Sequence, residues 1–253
     1  YSVISDQLMD MTPIALDEMS QVKLMNRVDT KYVVPLRMLP LILEKAKNEY
    51  RVQEIEGKRI TDYDTLYYDT SSLDMYLMHH NRRLHRQKVR VRTYVDSSLT
   101  FLEIKNKNNK GRTKKKRIQV PPSTPPADES ETVQNFMSRY CWYEPHTLCP
   151  VLYTRFRRIT LVNKAMTERL TIDMDVQWKN VRTGGQCPLG KVAVLEIKRN
   201  GNVPSPMTVI LRELRLNPLK VSKYCMGIVC TDPAVKNNRF LPKKRMINKI
   251  EKL

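Results

Sequence analysis

In Arg86 to Tyr94, RQKVRVRTY, basic residues occupy every second position: Arg86, Lys88, Arg90 and Arg92, with Val89 and Val91 between. A β-strand sends alternate side chains to opposite faces, so this segment builds one cationic face and one apolar face. In Phe101 to Lys107 the same alternation sets Glu103, Lys105 and Lys107 against Leu102 and Ile104. In Arg169 to Val176 it sets Arg169, Thr171, Asp173 and Asp175 against Leu170, Ile172, Met174 and Val176. In Lys191 to Lys198 it sets Glu196 and Lys198 against Leu195 and Ile197. An acid-x-Lys unit recurs as Asp29-Thr30-Lys31, Glu103-Ile104-Lys105 and Glu196-Ile197-Lys198. Arginine forks and lysine point charges grip phosphate oxygens, and a carboxylate beside them can tie a hard divalent cation to the same oxygens. Such faces suit a polyanionic partner: nucleic acid, a phosphorylated ligand or an anionic membrane. An antiparallel sheet with one wet face accounts for any one of these strands alone, whereas strands closing into a barrel would turn the polar faces inward as a charged tunnel.

The elements that must position these residues follow from periodicity and punctuation. Short helical pieces surround Pro13, with Leu16, Met19 and Val22 as their apolar positions. A strand spans Val22 to Val34 and stops at Pro35, and a helix to about Glu49 carries the stripe Leu39, Ile42, Leu43 and Ala46. Strands near 51–55 and 59–69 precede a short helix capped by Ser71 or Ser72 and running to about His80. Strands 86–95, 99–107 and 112–120 form a meander with turns at Asp96 to Ser98 and Asn108 to Gly111. After a proline-rich excursion from Pro121 to Pro126, a helix runs from Asp128 to about Arg139. Long strands at about 151–163 and 167–178, a strand at 191–198, a helix at 206–215 with Ser205 as its cap, and a helix at 221–230 complete the chain. The expected class is α+β: an antiparallel β-barrel tunnel of about eight strands with flanking helices. It forms one domain over 1–253, with a helical segment at 1–21 and a basic tail at 235–253 that reads as solvated or as a terminal helix.

Composition narrows the function classes. The 253 residues include 45 Lys and Arg against 26 Asp and Glu, a net charge of +19. Residues 1–81 carry 9 basic and 13 acidic side chains and residues 82–253 carry 36 and 13, so the excess belongs to the later strands. A field of that sign calls for a polyanionic partner. Only 7 glycines are present, and the stretch 185–192, GQCPLGKV, has Val where a phosphate loop needs Ser or Thr. The five cysteines form no CxxC pair, and Cys141, His146 and Cys149 read better as ordinary side chains than as a metal site. No segment reads as a membrane span or signal peptide, which points to a cytoplasmic protein. The absence of Met at position 1 leaves room for residues upstream.

In order along the chain, RVDTKYVV (27–34), KVRVRTY (88–94), FLEIKNK (101–107), NKGRTKKKRI (109–118), RLTIDMDV (169–176), VLEIKRNG (194–201) and KVSKY (220–224) resemble the VTC domain. That is the polyphosphate polymerase domain of vacuolar transporter chaperone proteins and their bacterial relatives, within the CYTH, or triphosphate tunnel metalloenzyme, superfamily. The resemblance implies a barrel whose lumen takes ATP and inorganic polyphosphate, and transfer of the ATP γ-phosphate to a polyphosphate chain with Mn²⁺ or Mg²⁺. It assigns phosphate-binding or catalytic roles to Lys31, Arg90, Arg92, Lys105, Arg155, Arg169, Lys198, Lys220 and Lys223, with Lys88, Lys116 and Glu103 as further phosphate-site positions. It makes Glu196 the metal carboxylate.

The pattern departs from the fuller ExExK motif of the superfamily. Phe101 and Val194 stand where a first carboxylate would be, and Arg27-x-Asp29-x-Lys31 replaces the first copy. Fewer carboxylates suit gripping a polyphosphate more than a metal-rich hydrolytic site. Two other uses of the same lumen stay open: a tunnel triphosphatase or cyclase, and a non-catalytic polyphosphate or nucleotide binder. A nucleic-acid binder would turn Arg82–Arg92 and Lys105–Arg117 outward, and such surfaces interleave aromatics. With 4 Phe and 2 Trp beside 12 Tyr, no nucleic-acid partner is expected. Eukaryotic relatives work beside membrane subunits, so a membrane-associated partner is compatible with the resemblance. The oligomeric state is not legible.

Overall fold

The computed structural model describes residues 2–20, 22, 27–110, 112–201 and 203–253. In chain order the elements are α1 (Ser2–Met9), β1 (Pro13–Ile14), α2 (Leu16–Ser20), β2 (Arg27–Pro35), α3 (Leu39–Ala46), β3 (Tyr50–Gln53), β4 (Thr61–Thr70), α4 (Asp74–His80), β5 (Arg86–Tyr94), β6 (Leu99–Lys107) and β7 (Thr113–Gln119). They continue with α5 (Glu131–Tyr140), β8 (Leu148–Asn163), β9 (Glu168–Asn180), β10 (Gln186–Pro188), β11 (Val192–Asn200), α6 (Pro206–Glu213), α7 (Lys223–Thr231) and α8 (Leu241–Lys252). The start of the expected strand at 22–34 and the tip of the turn at 108–111 fall partly on residues 23–26 and 111, outside the described residues.

Eight strands follow one path, β2-β11-β9-β8-β4-β5-β6-β7, antiparallel throughout, and curl into a half-barrel with helices on its flanks. The convex face is the apolar one. Leu170, Ile172 and Met174 of β9, Leu195 and Ile197 of β11, and Ile159 and Leu161 of β8 bury there against Ile4 and Leu8 of α1 and Leu39, Ile42, Leu43 and Ala46 of α3. Met207 and Leu211 of α6 join them. Farther along the sheet, Val89, Val91, Leu102 and Ile104 pack under Val133, Phe136 and Met137 of α5. With the apolar alternates held beneath helices, the charged alternates have only the concave side to occupy.

One end of the concave side is filled. Val33, Leu152, Phe156, Val176, Trp178, Val192 and Val194 line it, and α7 lies on them through Tyr224, Cys225 and Ile228. Gly227 permits this approach, since a Cβ there would come within 2.5 Å of Leu152 Cδ2 and 2.6 Å of Trp178 Cδ1. Ser222 caps α7, its side chain accepting from the Cys225 N–H at 3.3 Å, and Ser205 caps α6 as expected, accepting from Thr208 N–H at 3.0 Å.

Several details differ from the sequence reading for identifiable reasons. Leu16 is exposed, while Met19 is buried as expected, and Ile4, Leu8, Met11 and Ile14 carry the rest of the burial of the N-terminal segment. Neither Ser71 nor Ser72 caps α4. The fully buried carboxylate of Asp69, at the end of β4, accepts from the N–H groups of Thr70 (2.7 Å), Met75 (2.9 Å) and Tyr76 (3.0 Å) and from the Tyr224 hydroxyl. One acid thereby ties β4, α4 and α7 together. The residues from 241 form α8, docked by the buried Ile247 and by Glu251, whose carboxylate accepts from Lys191 N–H at 2.8 Å. Gly190, at φ +98°, sits against that carboxylate, so the glycines of the phosphate-loop lookalike serve helix docking.

Two consequences are measurable. Asp69→Ala leaves four donors unanswered in the interior and is expected to lower unfolding stability by about 3 kcal/mol or more in urea titration, at ~1–3 kcal/mol per orphaned group. A loss under ~1 kcal/mol would contradict the capping role. Gly227→Ala overpacks α7 against Leu152 and Trp178, and a loss of about 1–3 kcal/mol in the same assay is expected.

Candidate functional site

Antiparallel register explains the repeated acid-x-Lys unit. Glu196 of β11 is paired across the ladder with Lys31 of β2, and Lys198 with Asp29, so two copies running in opposite directions set each acid against the other's lysine. Lys31 Nζ lies 2.8 Å from Glu196 and Lys198 Nζ 3.3 Å from it. The third copy has a different partner. Glu103 of β6 faces Arg90, while Lys105 faces Lys88, a like-charged pair.

Three carboxylates on the concave face are each shared by two cations. Glu103, with no exposed side-chain surface, takes the Arg90 guanidinium at 2.6 and 2.8 Å and Lys115 Nζ at 3.0 Å. Asp173 takes Arg158 through both carboxylate oxygens, at 2.6 and 2.9 Å, and Lys223 at the second oxygen. Glu196 takes Lys31 and Lys198. Burial works against ionisation of all three, and the adjoining cations outweigh it, holding each carboxyl well below the ordinary range. Neutral acceptors serve other cations: Arg92 Nε donates to Thr65 Oγ1 at 3.1 Å, Lys88 Nζ to Ser222 Oγ at 2.8 Å, and an Arg90 guanidinium nitrogen to the Tyr67 hydroxyl at 3.3 Å.

The remaining cations have no such partner. Lys105 makes no hydrogen bond or ion pair among the described residues, and the Nε of Arg169 is buried and unsatisfied. The charge of Arg90 first, then burial, Arg92 and Lys198 push the Lys105 ammonium well below its ordinary value. Lys198 stands on β11 and Lys105 on β6, with four strands between them in the sheet path, and the curl of the sheet lets one charge act on the other. Tyr67 feels the same excess. Burial raises its phenol, and Arg90, Arg92 and Lys88 overcome this to leave it below the ordinary value.

Lys31, Lys88, Arg90, Arg92, Glu103, Lys105, Arg169, Glu196, Lys198 and Lys223 are thus brought to one concave surface, with the exposed Lys220 at its edge, where the neighbouring Leu219 N–H donates to Lys31 O at 2.7 Å. Two expected members are not brought there. Arg155 pairs with Asp64 on the convex side at 3.0 Å and its side chain is 72% exposed. Arg158, three residues on, occupies the concave position. Lys116 is paired with Ile104, an outward residue, and its Nζ stands 5.4 Å from the Tyr140 ring centroid. Its neighbour Lys115 reaches Glu103. Asp175 also leaves the face of Asp173: a register shift and a φ of +52° turn it to Arg157, 2.7 Å away at Nε, and bring Val176 inward.

A divalent ion would find little to hold it here alone. No three His, Cys, Asp or Glu side chains cluster among the described residues, and Glu196 is already clamped by two ammonium groups. The donor set fits a hard cation that arrives bound to phosphate oxygens and takes Glu196 as one protein ligand. No helix of the described residues is long and apolar enough to cross a membrane.

Solved structures of similar shape include a protein of Hippeastrum reported to reveal a dominant triphosphatase activity, at 12% identity and TM-score 0.49 over 80% of this chain and 95% of that one. A protein of Pyrococcus horikoshii OT3 has 14% identity and TM-score 0.45 over 80% and 97%. An RNA triphosphatase of Schizosaccharomyces pombe has 8% identity and TM-score 0.31 over 92% and 85%. No curated protein sequence matches the chain. The profile of the VTC domain matches residues 26–231, which takes in every one of the eight strands of the half-barrel, and the chain belongs to that family.

Proposed function

We propose that the protein is a polyphosphate polymerase-like phosphotransferase that moves the γ-phosphate of ATP onto a polyphosphate chain held along the concave face. The observation that carries this reading is the charge arrangement: Glu103, Asp173 and Glu196 are already neutralised twice over, and Lys105 and Arg169 are left facing the lumen without acceptors. A row of phosphates supplies the missing negative charge at many points, which a single carboxylate or a lone metal would not.

Phosphoryl transfer depends on positioning and on neutralising charge more than on covalent help from the protein. Arg90, Arg92 and Arg158 are fixed by Glu103, Thr65 and Asp173, so their free guanidinium edges are preset for phosphate oxygens. Lys31, Lys105, Lys198 and Lys223 supply point charges that can follow a moving chain. The acceptor's terminal phosphate oxygen attacks the γ-phosphorus, the bond from that phosphorus to the bridging oxygen breaks, and ADP leaves with the electron pair. Mn²⁺ or Mg²⁺, entering as the metal–ATP complex, would be held by Glu196 and would neutralise the developing charge on the phosphates. The attacking oxygen is already ionised, so no general base is needed.

Incubation with γ-labelled ATP and Mn²⁺ is expected to yield ADP and a labelled polyphosphate ladder; free labelled phosphate without a ladder would overturn polymerisation in favour of hydrolysis. Glu196→Gln is expected to abolish metal-dependent turnover while polyphosphate still binds, and loss of both in a folded variant would contradict its assignment. Lys105→Met should weaken polyphosphate binding by roughly tenfold or more, as loss of a charge-assisted contact of ~1.5–3 kcal/mol implies, yet raise the melting temperature of the ligand-free protein. The sign follows from proton linkage. The folded state binds the Lys105 proton less tightly than the unfolded chain, so ligand-free stability rises with pH through the depressed value up to the ordinary lysine value of about 10.4. The Met variant should lack that rise, as thermal melts across this pH window would reveal.

A further inference from the structure

Beyond the concave cluster, at one edge of the half-barrel, a second group of cations collects around the start of α8. Arg86 at the beginning of β5 and Lys107 at the end of β6 are directly opposed across the ladder, a like-charge pairing that is unfavourable by itself. Arg86 is held in place by its own turn, donating to Arg83 O at 2.7 Å, with a second guanidinium nitrogen 3.4 Å from His79 Nε2. His79 lies edge-on to Phe240, at 5.9 Å between centroids, and Phe240 directly precedes α8. The approach to α8 is anchored on α4 by three contacts. Tyr76 OH donates to Lys236 O at 2.8 Å, His80 Nε2 and Asn238 Oδ1 are 2.9 Å apart, and Arg239 donates to His80 O at 3.4 Å. This anchoring sets Lys243, in the first turn of α8, beside the same edge.

The side chains of Lys107, Lys220 and Lys243 make no hydrogen bond or ion pair with any described residue, and Lys243 Nζ lies 6.0 Å from the Phe240 ring centroid. Burial first, and then the charges of Arg86 and Lys220, lower the ammonium of Lys107; burial, Arg82, Lys220 and Arg86 lower that of Lys243. Burial first, and then the charges of Lys88, Arg86, Lys243 and Lys107, push the His79 imidazole down to about 2, so it stays neutral. No carboxylate is paired with this group among the described residues, although 26 acidic side chains were available to the chain. Strands keep such groups apart or compensate them unless something else does so.

We infer that Arg86, Lys107 and Lys243 form a second phosphate station, continuous with the concave cluster through Lys88 and Lys220, that grips a distal stretch of inorganic polyphosphate. Its α8 component, Lys243, lies outside the residues 26–231 matched by the family profile, while Arg86 and Lys107 lie within them. The inference rests on the proposed polyphosphate reading and deepens it. From Arg92 to Arg86 is six residues of strand, ~20 Å, which a triphosphate cannot span and a long chain can. The station therefore selects long polyphosphate over tripolyphosphate and over the phosphates of ATP.

The test compares binding of long-chain polyphosphate and tripolyphosphate by the whole protein with that of the double variant Lys107→Ala/Lys243→Ala. A control, Lys249→Ala/Lys252→Ala, removes the same net charge from the far end of α8. Long-chain affinity should fall by roughly tenfold or more in the first variant, with tripolyphosphate affinity changed less than about twofold and the control near wild type. Equal losses for both ligands, equal losses in the control, or no loss for the long chain would each overturn the station. If tripolyphosphate binds tightly and only Lys105→Met abolishes it, the concave site stands and the station alone fails. If the wild-type protein binds neither anion, the polyphosphate reading falls with it.

Discussion

Uncompensated positive charge on the inside of a curved sheet is the constraint around which the rest of this structure is arranged. Three concave carboxylates are each divided between two cations from different elements: Arg90 and Lys115 on Glu103, Arg158 and Lys223 on Asp173, Lys31 and Lys198 on Glu196. The acids thus fasten β5 to β7 through β6, β8 to α7 through β9, and β2 to β11. They lower repulsion enough for the sheet to curl without cancelling the field. Hydroxyls of Thr65 and Ser222 orient Arg92 and Lys88 without neutralising them.

Buried ion pairs of this kind contribute little net stability, because desolvation consumes much of what the attraction returns. The fold must be held from elsewhere, and the convex face does so. The clusters under α1, α3, α6 and α5 take buried apolar side chains from every strand that carries a concave charge except β7. β7 is the exception in kind as well as in place. It is the edge of the sheet, TKKKRIQ is exposed along nearly its whole length, and lysines along such an edge discourage pairing with another chain. The same strand sends Lys115 inward and Lys116 outward, so one run of lysines serves two purposes.

Most of this was legible as alternation. Val89 and Val91, Leu102 and Ile104, and Leu195 and Ile197 declare the convex face, and their neighbours must then be concave. Where alternation is interrupted, reading by motif position slipped. In TKKKRI the only apolar marker is Ile118, and counting back by two from it places Lys116 and Lys114 outside and Lys115 inside. In β8, Ile159 and Leu161 mark the convex face, which makes Arg158 concave and Arg155 convex. Both corrections were available from the sequence by anchoring on the apolar residue. The shift at Asp175 was not, because the extra residue is accommodated by a backbone conformation that a run of alternating residues does not signal. Nor was the Asp69 cap, which lies several residues before its helix and is completed by Tyr224 from α7, 155 residues away in sequence.

The scarcity of carboxylates in the lumen is itself tied to packing. Val194 shares the face of Glu196 and belongs to the apolar cluster that α7 completes with Tyr224, Cys225 and Ile228. A carboxylate at 194 would be desolvated against that cluster and would face Asp173 across the ladder, like charge against like charge. Phe101 stands on the face of Glu103, with the Arg117 guanidinium 4.4 Å from its ring centroid and Tyr94 edge-on at 5.7 Å. It uses an aromatic face, where an acid could have stood, to hold a cation at the rim. Seating α7 against the sheet brings Lys223 to Asp173, and the same seating requires an apolar residue two positions before Glu196. The seated helix that delivers Lys223 to Asp173 and a carboxylate at position 194 are therefore opposed, and this chain has the seated helix.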